Sequence, residues 1–206
     1  KTQNRGVELA VSGTLIQSED FRWDLGVNFA KNNNELLELA DGVENIRYTS
    51  LFGVTLEARP GQPLGTFYGY DFVYDDNGNK LVGTNGRYLR TPGVVPIGDI
   101  LADFTGGVWS DIQYKNLSFS ALVDFQKGGS VHSYSNQWGQ YSGTLAETAE
   151  GTVREDGVTA EGVYGTYEVD EDGNVGAITY LDAAGEESAS AVANETNISA
   201  QGHYFY

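Results

Sequence analysis

Phe21-Arg22-Trp23-Asp24-Leu25-Gly26-Val27-Asn28-Phe29-Ala30 decides the fold. Phe21, Trp23, Leu25, Val27 and Phe29 alternate with Arg22, Asp24, Gly26, Asn28 and Ala30, a period of two that no helix gathers on one face. The stretch is a strand, apolar on one side and polar on the other. Residues 117–126 repeat the pattern, with Leu117, Phe119, Ala121, Val123 and Phe125 against Ser118, Ser120, Leu122, Asp124 and Gln126, where only Leu122 departs from it. Each has a partner strand: Gly6–Ile16 before the turn at Ser18-Glu19-Asp20, and Phe104–Tyr114 before the turn at Lys115-Asn116. Val7, Leu9, Val11 and Leu15 point one way in the first partner and Glu8, Ala10, Ser12 and Thr14 the other. In the second, Phe104, Val108, Ile112 and Tyr114 oppose Thr105, Trp109, Asp111 and Gln113. Aromatic-rich strands of about ten residues, apolar outward and polar inward and joined by tight turns, are what a membrane-spanning β-barrel requires.

Composition agrees. The 206 residues hold 27 Gly and 13 Tyr but no Cys and no Met, and no 3.6-residue periodicity runs anywhere. The chain is therefore expected to be all-β, a partial transmembrane barrel of antiparallel hairpins whose long loops contain small hairpins. Twelve bases against 29 acids, a net charge of −17, exclude nucleic acid as a partner, because phosphate binding needs Lys and Arg. Without Cys, disulfides and thiolate metal sites are excluded. No apolar run reaches the length of a membrane helix, a test to which alternating strands are blind.

The hairpins occupy about residues 6–30 and 104–126. Two long excursions, about 31–103 and 127–206, follow them. The first opens on the polar run Lys31-Asn32-Asn33-Asn34 and carries all four prolines, Pro60, Pro63, Pro92 and Pro96. Strands are expected within it at Glu35–Leu39, at Gly53–Glu57, and as a hairpin of Thr66–Tyr74 with Lys80–Val82 around Asp76-Asn77-Gly78-Asn79. The second excursion contains a hairpin over Gly165–Tyr180 around Asp172-Gly173-Asn174. Barrels keep short turns on the periplasmic side and long loops outside, so both excursions are expected to be extracellular. The chain starts at Lys1 and runs out at His203-Tyr204-Phe205-Tyr206, which reads as a segment of a larger protein whose sheet edges pair with further strands.

Several motifs in fixed order resemble one family. Asn4-Arg5-Gly6-Val7-Glu8-Leu9 and Asp20-Phe21-Arg22-Trp23 running into Asn28-Phe29-Ala30-Lys31-Asn32 are similar to the recurring hairpin of SusC/RagA-like TonB-dependent outer-membrane receptors. Gly61-Gln62-Pro63-Leu64-Gly65-Thr66-Phe67-Tyr68-Gly69-Tyr70, Gly98-Asp99-Ile100 and Asp103-Phe104-Thr105-Gly106-Gly107 continue the likeness. So do Tyr114-Lys115-Asn116-Leu117-Ser118, Asp124-Phe125-Gln126-Lys127-Gly128-Gly129 and Asn136-Gln137-Trp138-Gly139. The resemblance covers about residues 4–143 well. It implies a plugged 22-stranded barrel in a Gram-negative outer membrane, of which this chain is part of the C-terminal half. It further implies import of oligosaccharides or peptides with a SusD-like surface lipoprotein as lid, powered by TonB through an N-terminal part not present here.

On that reading Phe21, Trp23, Leu25, Val27, Phe29, Val108, Ile112, Leu117, Phe119, Val123 and Phe125 face outer-membrane lipid. Glu8, Arg22, Asp24, Asn28, Asp111, Gln113, Asp124 and Gln126 face the lumen, where they line a solute path or simply pair with their neighbours. The candidates for ligand or lid contact are the loop aromatics Trp138, Tyr141, Phe67, Tyr68 and Tyr70, whose flat faces suit sugar rings, with packing between loops as the competing use. Asp75-Asp76-Asn77-Gly78-Asn79 and Asp170-Glu171-Asp172-Gly173-Asn174 loosely resemble the start of a calcium loop but lack the closing Glu, since Gly86 and Leu181 hold the twelfth positions; both are read as hairpin turns. His132 and His203 lack metal or triad partners, and no carboxylate pair stands out. No catalytic residue, metal or cofactor is expected. The rival classes are a secreted β-sandwich that binds carbohydrate, which would bury the apolar strand faces against a second sheet, and a carbohydrate-cleaving enzyme.

Overall fold

A computed structural model of the chain describes residues 1–200; the reading of His203 and the last residues of the second excursion lie outside the described residues. The elements in order are β1 (Thr2–Gln17), β2 (Phe21–Leu36), β3 (Ile46–Leu51), β4 (Val54–Ala58), β5 (Thr66–Gly69), β6 (Leu81–Val82), β7 (Val95–Asp99), β8 (Ala102–Tyr114) and β9 (Leu117–Gly128). Then come α1 (Tyr134–Ser142), a 3-10 turn (Ala146–Thr148), α2 (Val153–Asp156), β10 (Val158–Thr159), β11 (Val163–Val169), β12 (Val175–Tyr180) and β13 (Asn197–Ile198). The chain divides into two compact units, one of Lys1–Tyr68 with Gly98–Val131, the other of Gly69–Ile97 with the residues from His132 onward.

The first unit contains the two expected hairpins joined edge to edge as one antiparallel sheet, β1-β2-β8-β9. Its register sorts the side chains into two faces, because residues directly opposite across an antiparallel pair point the same way. Val11, Val27, Val108 and Val123 form one row across all four strands. Towards the short turns the same face carries Trp23, Ile112 and Phe119 and then Phe21, Tyr114 and Leu117. Towards the long excursions it carries Phe29, Phe104 and Phe125, with ring centroids 5.6 Å and 6.4 Å apart. Gly106 lies between Phe29 and Phe125 in register, and the Phe125 ring covers it so closely that a Cβ there would stand 2.5 Å from Cζ. Trp23 Nε1 donates to Ser110 Oγ at 2.9 Å, so the polar groups on this face satisfy each other.

This apolar face is exposed: Phe119 is 64% and Val123 62% accessible, and all of β9 is exposed. A β-sandwich would have buried it. Val7 to Ile16 covers about 30 Å along a strand, which a tilt near 40° projects onto roughly 23 Å, close to the apolar band of an outer-membrane barrel.

The structure corrects the sequence at several points. β1 and β2 run past residues 6–30, pairing from Thr2↔Leu36, because Asn4 takes hydrogen bonds from Asn32 and Asn34 across the strands; the strand expected at Glu35–Leu39 is only the end of β2. A bulge between Thr14 and Ile16 leaves Leu15 outside the ladder and puts Ile16 opposite Trp23. The strand at Gly53–Glu57 is β4, and its partner β3 joins it through a two-residue turn with Phe52 and Gly53 both left-handed (φ 48° and 83°). With β5 and β7 they form a second four-stranded sheet, β3-β4-β5-β7. Finally, Tyr134–Ser142 is helical, capped by Ser133 Oγ, which accepts from Asn136 N at 3.2 Å, and ended by Gly143 at φ 70°.

The second unit is organised by a repeat of eight residues, Phe72-Val73-Tyr74-Asp75-Asp76-Asn77-Gly78-Asn79, Lys80-Leu81-Val82-Gly83-Thr84-Asn85-Gly86-Arg87 and then Tyr88-Leu89-Arg90. Its second positions close a ring of backbone hydrogen bonds: Val73 N to Leu89 O, Leu81 N to Val73 O and Leu89 N to Leu81 O, at 3.1, 2.8 and 2.9 Å. The bridges Phe72↔Arg90, Tyr74↔Lys80 and Val82↔Tyr88 carry the same pseudo-threefold relation. Val73 and Leu81 point into the core with Val163, and β6 pairs in parallel with β11, which pairs with β12 in the hairpin expected around Asp172-Gly173-Asn174.

Candidate functional site

The polar face of the four-stranded sheet is built in ladders. Thr14, Asp24, Asp111 and Ser120 share one row, and each carboxylate accepts a hydroxyl hydrogen bond, Asp24 from Thr14 and Asp111 from Ser120. Arg22 Nε lies 2.6 Å from Asp24 Oδ2, which offsets the repulsion of two acids placed directly opposite each other. Gln113 lies opposite Arg22. Asn28 and Asp124 cover Gly107 between them, while Glu8 and Gln126 complete the row of Ala30 and Thr105. All eight polar residues expected on one face therefore share it. The row between them begins at Ser12 and is otherwise apolar: the Trp109 indole lies on Gly26, where a Cβ would stand 2.2 Å from Nε1, and Leu122 is its neighbour. Leu122, out of pattern in the sequence, is thus matched by Trp109.

In the second unit the pseudo-threefold repeat presents its first positions together. Lys80 Nζ sits 3.9 Å from the Phe72 ring centre and 4.8 Å from that of Tyr88, and the two rings meet edge to face at 4.9 Å. Beside them opens a cleft of about 430 Å³, lined by Tyr70, Phe72, Tyr88, Arg87, Arg90 and Tyr167, together with Asp71, Asn85 and Leu89. Arg90 lies over the Tyr70 ring at 4.6 Å, and its carbonyl accepts from Tyr167 Oη at 2.7 Å, which fixes the cleft wall to β11. Flat aromatic faces with fixed cations suit a ligand having both an apolar face and an anionic group. Of the expected contact residues only Tyr70 lies here. Phe72, Tyr88, Arg87, Arg90 and Tyr167 escaped the sequence reading; the eight-residue spacing was a signal for those between 72 and 90, while no local pattern brings Tyr167 to them.

The other expected aromatics divide. Trp138 stacks between Tyr134 and Tyr141 on α1, at 5.9 and 5.4 Å, and is 47% exposed. Arg154 fixes the end of that helix by donating to Gly143 O and Thr148 O. Phe67 is half-buried. Tyr68 is corrected: it is buried, 4% exposed, beneath the Arg59 guanidinium at 4.0 Å, so it packs the loop and does not offer a face to a ligand.

Below Tyr68 lies a group the sequence reading missed. Glu57, 1% exposed, accepts from Asn45 Nδ2 at 2.6 Å, Thr55 Oγ1 at 2.7 Å, Arg59 Nε at 2.8 Å and Arg47 Nε at 3.2 Å. Burial alone would raise its pKa, but these four donors hold the carboxyl down at about 2. It is the hub of the β3-β4 hairpin.

The Asp-rich turns use their oxygens on the backbone. Asp75 Oδ1 accepts from Asn77 N and Asn79 N, and Asp170 Oδ1 from Asp172 N and Asn174 N. Asp182 makes the same turn, accepting from Ala184 N and Glu186 N. Burial pushes the Asp75 pKa up, and its hydrogen bonds from Asn79, Tyr180 and Asn77 bring it to about 2. Among the described residues no group of three His, Cys, Asp or Glu is placed to hold a metal. His132 Nε2 meets Gln137 Oε1 at 3.3 Å.

One layer of long antiparallel strands, with a ringed apolar face on one side and hydrogen-bonded polar rows on the other, is the wall of a transmembrane β-barrel. No family model matches the chain. It is 28% identical over 207 residues to TonB-dependent receptor P3 of Formosa agariphila, a match covering 80% of this chain and 20% of that receptor. It is 31% identical over 149 residues to TonB-dependent receptor SusC of Bacteroides thetaiotaomicron, covering 64% of this chain and 14% of SusC. The fold is similar to that in the structure of the RagAB peptide transporter, with a TM-score of 0.56 and 20% identity over 70% of this chain and 17% of that one. The chain is similar to a stretch of SusC/RagA-like TonB-dependent receptors. It spans a fifth or less of the length of these curated relatives.

Proposed function

We propose that the chain forms part of the barrel wall and the external loops of an outer-membrane receptor that imports oligosaccharides or peptides, driven by TonB and covered by a SusD-like lipoprotein. The observation that carries this reading is the exposed valine row bordered by aromatic residues at both ends, opposite a face of hydrogen-bonded acids. Lipid covers the first face, and Glu8, Arg22, Asp24, Asn28, Asp111, Gln113, Asp124 and Gln126 line the lumen. The turns at Ser18 and Lys115 lie on the periplasmic side. The excursions at 31–103 and from 127 onward leave the sheet at its other end and are extracellular, where Tyr70, Phe67, Trp138 and Tyr141 meet the ligand or the lid. The segment performs no chemistry, and specificity resides in the loops.

The test is uptake by cells lacking the receptor gene, with and without the full-length receptor restored. Fluorescent oligosaccharide and peptide pools are supplied, and the proton gradient is then collapsed. Uptake of at least one pool that depends on both receptor and gradient is expected. Identical uptake of every pool by both strains would defeat the proposal.

A further inference from the structure

Among the Lys and Arg of the first unit, Arg22 is ion-paired with Asp24, Arg47 and Arg59 with Glu57, and Lys115 with Asp20. The others, Lys1, Arg5, Lys31 and Lys127, form no ion pair among the described residues, and all four stand at the end of the β1-β2-β8-β9 sheet from which the long excursions leave. The register puts three of them on the apolar face. Lys31 lies opposite Val7 and Arg5 opposite Asn33, in line with Leu9, Val11 and Phe29, while Lys127 lies opposite Phe104. All three are exposed. Lys31 and Lys127 are four residues beyond the valine row and Arg5 six, which on strands rising about 3.4 Å per residue at a tilt near 40° is about 10 Å and about 15 Å from its level. They therefore straddle the edge of an apolar band about 25 Å tall, just outside the rings of Phe29, Phe104 and Phe125.

Lys31 and Lys127 line a hollow of about 480 Å³, to which Phe104 and Asn33 also contribute. Its two carboxylates leave the lysines unpaired: Asp99 Oδ1 accepts from Leu101 N at 2.8 Å, and Asp103 lies against Gly128. Glu35, the next acid outward on the same face of β2, is four residues past Lys31 and clear of the band. The other end of the face is different, since Glu19 and Asp20 outnumber Lys115 there. Cations set at the rim of an apolar surface without a protein anion are complementary to what covers such a rim, an anionic lipid headgroup, and the long Lys and Arg stems let the charge reach that level. A solute in the lumen is on the other side of the sheet. We infer that this rim binds the phosphate headgroup of an anionic lipid in the leaflet at the long-loop end, with Arg5, Lys31 and Lys127 holding the phosphate oxygens, Asn33 donating to them, and Phe29, Phe104 and Phe125 packing on the acyl chains. The inference rests on the barrel-wall reading above, by which that leaflet is the outer one.

The test uses the full-length receptor free of other cysteines, with a nitrobenzoxadiazole label at Val7→Cys or at Phe119→Cys, which lie four residues from the valine row at opposite ends of the same face. The receptor is reconstituted in phosphatidylcholine vesicles containing, as a minor component, phosphatidylglycerol or phosphatidylcholine spin-labelled on its acyl chain, whose quenching reports the lipid beside each label. Phosphatidylglycerol should be enriched about threefold or more over its bulk share beside residue 7 but not beside residue 119, and the enrichment should fall as salt rises. Spin-labelled phosphatidylcholine should quench both labels in proportion to its share. The triple substitution Arg5→Gln/Lys31→Gln/Lys127→Gln should abolish the enrichment, and Lys31→Arg/Lys127→Arg should keep it, since charge survives. Inorganic phosphate at constant ionic strength should leave it unchanged. The inference is overturned if enrichment is equal at the two ends, survives the triple substitution, or is lost to inorganic phosphate, which would assign the rim to soluble phosphate. Quenching at residue 7 merely in proportion to the bulk share would overturn this inference and leave the barrel-wall reading standing; no quenching of either label by either lipid would remove the barrel-wall reading itself.

Discussion

Val11 and Ser12 are consecutive residues of β1 at one depth and on opposite faces of the sheet, so an arginine at each isolates what covers those faces. Val11 belongs to the row of Val27, Val108 and Val123, midway between the two sets of aromatic rings; Ser12 lies in the row of Gly26 and Trp109. If lipid covers the valine row, Val11→Arg places a guanidinium near the bilayer midplane and costs about 2–4 kcal/mol. If water covered it, the same change on a side chain 56% exposed would stay within about 0.5 kcal/mol. Ser12→Arg faces the polar side in either case and serves as the reference. The assay is reversible denaturant unfolding of the full-length receptor folded into lipid vesicles. The expected difference corresponds to a shift of roughly thirty-fold to several-hundred-fold in the folding equilibrium. Equal costs for the two variants would refute the assignment of the faces.

Three other outcomes follow from side-chain packing. Glu57→Gln should destabilise the first unit by about 3–5 kcal/mol in thermal unfolding, because Arg47 and Arg59 lose their buried partner. Glu57 and Asp75 titrate near 2 when folded, below their ordinary values of 4.5 and 3.8, so the stability they contribute is present above those values and lost as pH falls through about 2; melting followed by circular dichroism should show that decline, and Glu57→Gln should lessen it. Gly26→Ala should cost about 1–3 kcal/mol by lifting the Trp109 indole, and Trp109→Ala in the same protein should relieve most of that cost, as a double-mutant unfolding cycle would record.

The four sheet strands were legible because a period of two is a property of contiguous sequence, and Phe21–Ala30 displays it without interruption. Their order was not, since nothing local in β2 says that β8 is its neighbour. Trp109 and Leu122 broke the pattern for a reason that lies on another strand, the bare backbone of Gly26. β3 was missed because its turn sets Phe52 in a left-handed conformation that the residue does not advertise. α1 was missed because Ser, Asn and Gly within Tyr134–Ser142 are weak helix formers, although Ser133 and Gly143 at its ends are both favoured caps. Of the ligand candidates chosen by residue type, Tyr70 and Trp138 are exposed and Tyr68 is buried, because type does not report burial. The cleft needed the closure of Val73, Leu81 and Leu89 into a ring, which their eight-residue spacing only hints at, and a tyrosine 77 residues from Arg90, which no short window shows.

The most direct measurement uses single cysteines, each introduced in turn from Phe21 to Ala30 of a full-length receptor free of other cysteines, spin-labelled and reconstituted in vesicles. Oxygen dissolved in the bilayer should relax the labels at 21, 23, 25, 27 and 29 strongly, while a water-soluble nickel complex should not reach them, with the even positions showing the reverse or shielding from both. Odd positions open to the nickel complex, or shielded from both reagents, would contradict the account that this chain is a lipid-facing wall.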